Sequence, residues 1–140
     1  MAVNKVILLG NVGRDPEVRR LEGGGVCATF PLATTERAYR TKGGIDVPEK
    51  TEWHNIVAWH GVAERIERQV RKGSLLYVEG KLRTRAWTDQ NNTRHYVTEV
   101  FVEQYELLRQ APPQMSPHVP RPDAATSIED ADDAAAATDE

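Results

Sequence analysis

The segment most informative about the fold is residues 75–87, which read LLYVEGKLRTRAW. Apolar side chains stand at alternate positions, as expected for a strand with one face against a core. These inward positions are Leu76, Val78, Leu82 and Ala86. The intervening positions, which share the opposite face, are Tyr77, Glu79, Lys81, Arg83, Arg85 and Trp87. The segment therefore predicts a long strand with a barrel interior on one side and cations beside aromatic rings on the other.

Four further strands and one helix are predicted around this segment. The five strands cover Val3–Val12, Val26–Thr34, Thr51–Trp59, Leu75–Trp87 and His95–Leu108. Val62, Ile66 and Val70 recur every four residues between charged side chains, which predicts an amphipathic helix after the third strand. This order is that of an all-β, five-stranded Greek-key barrel of the oligonucleotide/oligosaccharide-binding (OB) type, with the helix between strands 3 and 4. A barrel of the same layout without a ligand is the alternative, because a fold does not determine a function.

Two segments of the predicted barrel have distinctive compositions. Val3–Val12 is apolar at both odd and even positions, which predicts a strand that is covered on both faces. Arg37–Lys50 is polar and contains Gly43-Gly44 and Pro48, which predicts a long, mobile hairpin loop.

Charge divides the 140-residue chain at about residue 110. Residues 1–109 carry 17 basic and 14 acidic side chains, a net charge of +3, whereas residues 110–140 carry Arg121 against seven acidic residues, a net charge of −6. Five of the eight prolines also follow Ala111. We therefore predict a folded domain at 1–109 and a disordered Pro/Ala/acidic tail at 110–140. A basic body with an acidic tail indicates a nucleic-acid partner, with a merely solubilising tail as the alternative.

Simple features of the sequence exclude several classes of protein and site. No apolar run approaches the roughly 18 residues of a membrane-spanning helix, and the N-terminus leads into a strand without signal-peptide architecture, which predicts a soluble, intracellular protein with no membrane partner. The single cysteine, Cys27, excludes an internal disulfide and is interpreted as a small apolar residue. No histidine stands in a metal-ligand pattern and no serine lies in a nucleophile motif. We therefore predict no catalytic residue, no metal and no cofactor.

Aromatic and basic residues on shared strand faces predict a surface for single-stranded nucleic acid. Trp53 and Trp59 are six residues apart and so project from one face of the third strand, while Trp87 ends the basic face of the fourth. Unpaired bases stack on such rings with about 1–3 kcal/mol per base, while cations follow the phosphates. One tryptophan alone is more simply a core residue, but three of them opposite apolar strand faces favour the outward interpretation. Duplex DNA is the weaker candidate, because the sequence has no helix-turn-helix or zinc-finger spacing.

Other ring-bearing and basic residues flank this surface. Tyr39 and Lys42 in the hairpin loop, and Arg71-Lys72 after the helix, extend the predicted track for the strand. The remaining rings are assigned to core or interface, namely Phe30, Tyr77, Tyr96 and Phe101.

Five short segments stand in an order shared with a known family. They are NKVILLGNVGRDPE at 4–17, TEWH at 51–54, VRKGS at 70–74, VEGKLRTRAWTD at 78–89 and TEV at 98–100. In these segments, which span nearly all of residues 3–108, the chain resembles the bacterial single-stranded DNA-binding proteins. The resemblance implies an OB fold, a homotetramer with DNA wrapped around it, and a cytoplasmic, nucleoid-associated location.

The resemblance also implies roles for individual residues. Trp53, Trp87 and Trp59 occupy base-stacking positions of the family, and Tyr39 lies near a loop tryptophan. Matching backbone-contact positions are basic: Lys5, Arg71, Lys72, Arg83 and Arg85. His54 matches a histidine associated with subunit assembly. Together with the residues inferred from the strands, the predicted nucleic-acid site is Trp53, Trp59, Trp87, Tyr39, Lys5, Lys42, Arg71, Lys72, Lys81, Arg83 and Arg85.

The predicted function is sequence-independent binding and protection of single-stranded DNA in replication, recombination and repair, without a chemical step. Members of the family usually end in a Pro-Phe tip on which replication and repair proteins dock, whereas this chain ends Ala137-Thr138-Asp139-Glu140. Without that tip, any docking of replication and repair proteins would have to use the acidic residues of the tail alone. The alternatives are a protein-interaction OB dimer, a cold-shock-type RNA-binding domain and, more remotely, a hydrolase acting on nucleic-acid ends.

Overall fold

A sheet of six strands closes on itself into a barrel. The computed structural model describes residues 1–113, so the predicted disordered tail lies outside the described residues apart from positions 110–113. The elements in chain order are β1 (Val6–Val12), β2 (Glu17–Arg20), β3 (Val26–Glu36), β4 (Tyr39–Arg40), β5 (Asp46–Val47), β6 (Lys50–Trp59), α1 (His60–Gln69), β7 (Leu75–Thr88) and β8 (Arg94–Arg109). The sheet runs in the order β1-β7-β8-β6-β3-β2, and a second pairing of β1 with β3 closes it.

The five predicted strands and the helix between the third and fourth of them are confirmed. Their ends differ from the predicted ends by at most three residues. Three short strands were not predicted: β2 pairs with β3, while β4 and β5 pair with each other inside the predicted hairpin loop. Strands of two to four residues are too short for an alternating pattern to be recognised.

One face of each long strand, together with α1, forms the barrel interior. In β3 the buried side chains are those of the predicted inward face: Val26, Ala28, Phe30 and Leu32. α1 buries Ala63 and Ile66 and packs against β3, β6 and β8, which satisfies its amphipathic pattern. The other buried apolar residues are Val12, Ile56, Val57, Ala58, Val70, Leu76, Val78 and Val100.

The predicted inward face of β7 is correct only for the first half of the strand. Leu76 and Val78 are fully buried, but Leu82 is 47% exposed and Ala86 is also exposed, so the prediction is wrong for these two residues. The reason lies in the neighbouring strand, because the pairing of β1 with β7 ends at Val6 and Gly80. Beyond Gly80, β7 pairs with β8 and has no further pairing to β1, and Asn4 hydrogen-bonds the backbone of Leu82 at 2.9 and 3.0 Å instead.

The first strand has one covered face and one bare face. Val6 and Leu8 pack against the core, whereas Ile7 is 58% exposed and Leu9 is 56% exposed. The expected cover on both faces is therefore not present within a single chain. Two adjacent large apolar side chains on one strand face are left to water.

Candidate nucleic-acid interface

The outward faces of β3, β6 and β8 and the far half of β7 form one continuous surface. The strand pairing shows which residues of this surface are neighbours. Trp59 lies opposite Cys27 of β3, and Val57 lies between Thr29 of β3 and Phe101 of β8. A groove of about 590 Å³ runs along this surface, and we call it the aromatic groove. Its charged, amide and outward aromatic lining residues are Arg14, Asp15, Glu17, Arg19, Asn55, Trp59, Arg85, Glu99 and Phe101.

All three tryptophans lie on the outside of the barrel. Trp53 is 59% exposed, Trp59 is 38% exposed and Trp87 is 45% exposed. Each indole also leans on a neighbour: Trp53 on Gly13, Trp59 on Phe101 and Trp87 on His95. A half-exposed ring that is held from one side offers its free surface to another flat ring.

Glycine and phenylalanine hold the first two of these indoles. A Cβ at Gly13 would overlap the ring of Trp53, so only glycine lets the indole approach the backbone this closely. The ring centroids of Trp59 and Phe101 are 6.2 Å apart and their planes are tilted by 54°, which is an ordinary tilted aromatic contact. Trp53 and Trp59 project from the same face of β6, as their spacing of six residues predicts.

Basic side chains accompany the rings along β7. Lys81, Arg83 and Arg85 lie opposite Phe101, Glu99 and Val97 of β8, so they share a face with Trp87, which lies opposite His95. The Arg85 Nε lies 2.8 Å from the Glu99 Oε1, and that carboxylate is the less exposed partner. The spacing of β7 thus places cations and an indole side by side, as predicted.

Of the eleven predicted site residues, Trp59 and Arg85 line the aromatic groove, whereas Trp53, Trp87, Lys81 and Arg83 lie beyond its lining on the outward strand faces. The other five lie elsewhere. Lys5 forms an ion pair of 3.1 Å with Glu79. The guanidinium of Arg71 donates to the carbonyl oxygens of Glu67 and Val70 at 2.7 Å and so caps the end of α1. The Lys72 backbone N–H donates to Asp15 at 2.8 Å, while its side chain is exposed. Tyr39 and Lys42 are exposed in and beside the β4–β5 hairpin. The assignment of all eleven residues to the nucleic-acid site stays a prediction.

His54, the residue predicted for subunit assembly, projects from the opposite face of β6 to the tryptophans. It is half-buried, and its Nε2 lies 2.8 Å from the Thr34 hydroxyl. The role of His54 in subunit assembly stays a prediction.

Sequence reasoning missed four residues of the surface. Phe101 and His95 each support a tryptophan, although Phe101 was assigned to core or interface and His95 was not assigned. Arg14 and Arg19 line the aromatic groove from the segment around β2. Arg19 belongs to a four-residue strand, which is too short for an alternating pattern to predict its pairing with β3. The position of Phe101, by contrast, follows from its pairing with Lys81 once the register of β7 and β8 is known.

The only cysteine of the chain also lines the aromatic groove. Partial burial raises the pKa of the Cys27 thiol above its usual value of 9.0, so the group is an uncharged thiol at neutral pH. Among residues 1–113 there is no group of three or more His, Cys, Asp or Glu side chains arranged to hold a metal ion. Over the same residues, no helix has the length and apolar character needed to cross a membrane.

Known proteins share both the sequence and the fold of this chain. A profile of the Single-strand binding protein family matches residues 3–108. A single-stranded DNA-binding protein of Bacteroides thetaiotaomicron is 49% identical over 124 residues, which are 89% of this chain and 77% of that protein. The structure of Plasmodium falciparum SSB in complex with ssDNA superposes with a TM-score of 0.68 at 35% identity, over 76% of this chain and 94% of that one. The resemblance seen in the sequence motifs is confirmed, and the chain belongs to the single-strand binding protein family.

Proposed function

We propose that this protein binds single-stranded DNA without sequence preference and protects it during replication, recombination and repair. The observation that carries the proposal is the placement of three half-exposed indoles and a row of cations on one outward face. The family description, the name of the Bacteroides relative and the single-stranded DNA bound to the Plasmodium protein support the same ligand.

The proposed mechanism divides the work between rings and cations. Every base has a flat π-face, so stacking on Trp53, Trp59 and Trp87 accepts any sequence. Lys81, Arg83 and Arg85 neutralise phosphates, and affinity therefore falls with salt by a log–log slope of roughly −0.7 for each phosphate that is neutralised. Strands that are held in this way are kept apart and shielded, with no bond made or broken.

Removal of two indoles tests the stacking directly. Trp53→Ala combined with Trp87→Ala deletes two stacking contacts of about 1–3 kcal/mol each, so affinity for oligo-dT falls at least thirtyfold. Tyr96→Ala is the matched control, because Tyr96 is an exposed ring of the same hairpin that lies on the opposite face from Trp87 and contacts Arg94. Unchanged affinity in the double variant, measured by fluorescence anisotropy, would refute the stacking assignment.

The same binding assay separates the alternatives. A cold-shock-type domain prefers ribo-oligomers of the same sequence, and a protein-interaction module binds both oligomers weakly. We expect stronger binding to the deoxyribo-oligomer than to the ribo-oligomer. Because the proposal includes no chemical step, a labelled oligomer that is incubated with the protein and a divalent metal stays intact.

We further propose that the protein assembles with copies of itself into a homotetramer. The bare face of Ile7 and Leu9 supports this, as does β1 itself, whose pairing with β3 is restricted to Asn11 and Val12 and leaves an open edge from Val6 to Gly10 within residues 1–113. An open strand edge next to apolar side chains is a site for pairing with another strand. Light scattering is expected to give the mass of four 15.7 kDa chains, and Leu9→Glu is expected to lower it.

The binding unit of this proposal is residues 1–109 in a protein of the bacterial cytoplasm. The end of β8 at Arg109 supports that boundary, although Ala111 and Pro112 still lie against Gly73. The acidic residues beyond position 113 lie outside the described structure, and their docking of replication and repair proteins stays a prediction. A variant that ends at residue 113 is expected to retain the affinity for oligo-dT.

A further inference from the structure

The tip of the β7–β8 hairpin holds a ring stack whose second member has no role in the proposed function. Trp87 and His95 lie directly opposite each other, with ring centroids 4.5 Å apart and planes that differ by 23°. This stack is closer and flatter than the contacts of Trp59, whose ring lies 6.2 Å from Phe101 and 6.3 Å from His60 at steep tilts. The imidazole therefore covers one face of the indole.

A hydrogen bond to a carboxylate also holds the imidazole in place. The Nε2 of His95 lies 2.7 Å from the Oδ2 of Asp89, and the Oδ1 of Asp89 accepts the backbone N–H groups of Asn91 and Thr93 at 2.9 Å. These hydrogen bonds, that of His95 foremost, lower the pKa of Asp89 below its usual value of 3.8. The carboxylate is consequently ionised throughout the range in which histidine titrates.

Few charged groups face this imidazole within the described residues. Asp89 follows the end of β7, and Arg85 is two residues before Trp87 on the same face. Arg85 is already paired with Glu99 at 2.8 Å, while Arg94 lies over the ring of Tyr96 on the other side of the hairpin. The positive charge that His95 gains on protonation therefore meets Asp89 first.

We propose that His95 is a positioning residue for Trp87 and makes the stacking tip of the hairpin respond to pH. Protonation makes the hydrogen bond to Asp89 charge-assisted and places a cation on the indole face, so the ring is held more firmly. The uncovered face of Trp87 stays available to a base, and the added positive charge favours the nearby phosphates. The added charge strengthens the binding of single-stranded DNA as the pH falls. The firmer contact with Asp89 and Trp87 forms with or without DNA, so it positions the ring and does not itself add affinity.

The inference rests on the proposed function and predicts a modest change in affinity. Between about pH 8 and about pH 6, affinity for oligo-dT rises about two- to fivefold at constant salt, the size expected when one more exposed cation lies beside a phosphate. Thymine is the suitable base because it does not titrate in this range. The change is measured by fluorescence anisotropy at both pH values.

Three variants assign that change to the stack. His95→Phe keeps a ring against Trp87 but cannot be protonated, so its affinity is the same at both pH values, and His95→Tyr is a second variant of the same kind. Asp89→Asn removes the anionic partner and reduces the gain. His60→Gln is the matched control: His60 is also exposed and near a tryptophan, but its ring is tilted and it has no carboxylate contact among residues 1–113, so this variant keeps the gain of the wild-type protein.

The outcomes separate this inference from the function on which it rests. Binding of oligo-dT by the wild-type protein at about pH 8 tests the proposed function alone. If the wild-type protein binds but shows no gain at the lower pH, or if His95→Phe and His95→Tyr keep the gain, the assignment to His95 is wrong while the proposed function stands.

Discussion

The two halves of β7 share one sequence pattern and have different environments. From Leu75 to Gly80, the barrel half, the strand lies between β1 and β8, and its inward side chains are buried in the barrel. From Lys81 to Thr88, the projecting half, it pairs with β8 alone, and every residue from Leu82 onward is exposed. The alternation of apolar and polar residues is the same in both halves, so the presence of a neighbouring strand decides whether an apolar position becomes core.

The difference also separates stability from binding along a single strand. In the barrel half, Glu79 accepts hydrogen bonds from Tyr77 and Gln104 and forms an ion pair with Lys5, a cluster that connects the residue before β1 with β7 and β8. In the projecting half, Arg85 and Trp87 face the surface that we propose for DNA, together with Glu99 of β8. Substitutions in the first half are therefore expected to change the free energy of unfolding, and those in the second half the affinity for DNA.

The largest expected effect comes from truncating the same residue type in the two halves. Leu76→Ala opens a cavity in the core and lowers the free energy of unfolding by about 2–5 kcal/mol. Leu82→Ala removes a side chain that is already 47% exposed, and the loss stays below about 1 kcal/mol. Urea unfolding monitored by circular dichroism measures both, and equal losses would contradict the division of β7.

The sequence predicted the barrel half correctly and the projecting half only in part. Leu76 and Val78 follow from alternation because their strand has neighbours on both sides. Leu82 and Ala86 were assigned to the interior because nothing in the pattern marks Gly80 as the last residue that β1 reaches. The pairing that ends there joins residues 64 to 74 positions apart, and such distant contacts leave no mark on a local pattern.

The second effect concerns the glycine at the junction of the two halves. A Cβ at Gly80 would overlap the carbonyl of Phe101, at the point where the register of β7 and β8 shifts. Gly80→Ala is therefore expected to cost about 1–3 kcal/mol of stability through overpacking. Gly61→Ala is the control, because no atom lies within 4 Å of a Cβ built there and alanine favours the helix. A Gly80→Ala protein as stable as the control in thermal unfolding would show that the junction tolerates a side chain.

A smaller effect is expected from a carboxylate of β8 that pairs with the projecting half of β7. Glu99→Gln frees Arg85 for phosphate and removes a negative charge from the aromatic groove. Exposed ion pairs of this kind contribute up to about 1 kcal/mol, so affinity for oligo-dT rises about two- to fivefold. The log–log salt slope steepens by roughly 0.7, as expected for one more neutralised phosphate. Weaker binding by Glu99→Gln would instead assign Glu99 to the support of Arg85.

The smallest effect lies in the barrel half and appears only in acid. The hydrogen bond from Tyr77, followed by that from Lys5, lowers the pKa of Glu79 below its usual 4.5. A lowered pKa in the folded state means that the contribution to stability is present above pH 4.5 and is lost as the pH falls through the folded-state value. Glu79→Gln is expected to lose less stability than the wild-type protein between neutral and acidic pH. Identical acid profiles of the two proteins would remove Glu79 from this account.

The outward placement of the main residues of the candidate site was predicted correctly, and the residues that support them were missed. The indoles and the cations of β7 follow from parity within single strands, which the sequence displays. The partners that hold them come from other strands: Gly13 beneath Trp53, Phe101 beside Trp59 and His95 on Trp87. The engagement of Lys5 by Glu79 is likewise a contact between residues 74 positions apart, which composition and spacing do not reveal.

A titration of intrinsic tryptophan fluorescence with oligo-dT tests the central claim most directly. Trp53, Trp59 and Trp87 are the only tryptophans of the chain and all three are exposed, so bases that stack on them change the whole signal. We predict strong quenching that saturates at a fixed ratio of nucleotides to protein and needs more DNA at higher salt. Oligo-dT that binds by an independent assay while the tryptophan emission stays unchanged would contradict the claim that these outward indoles receive the bases.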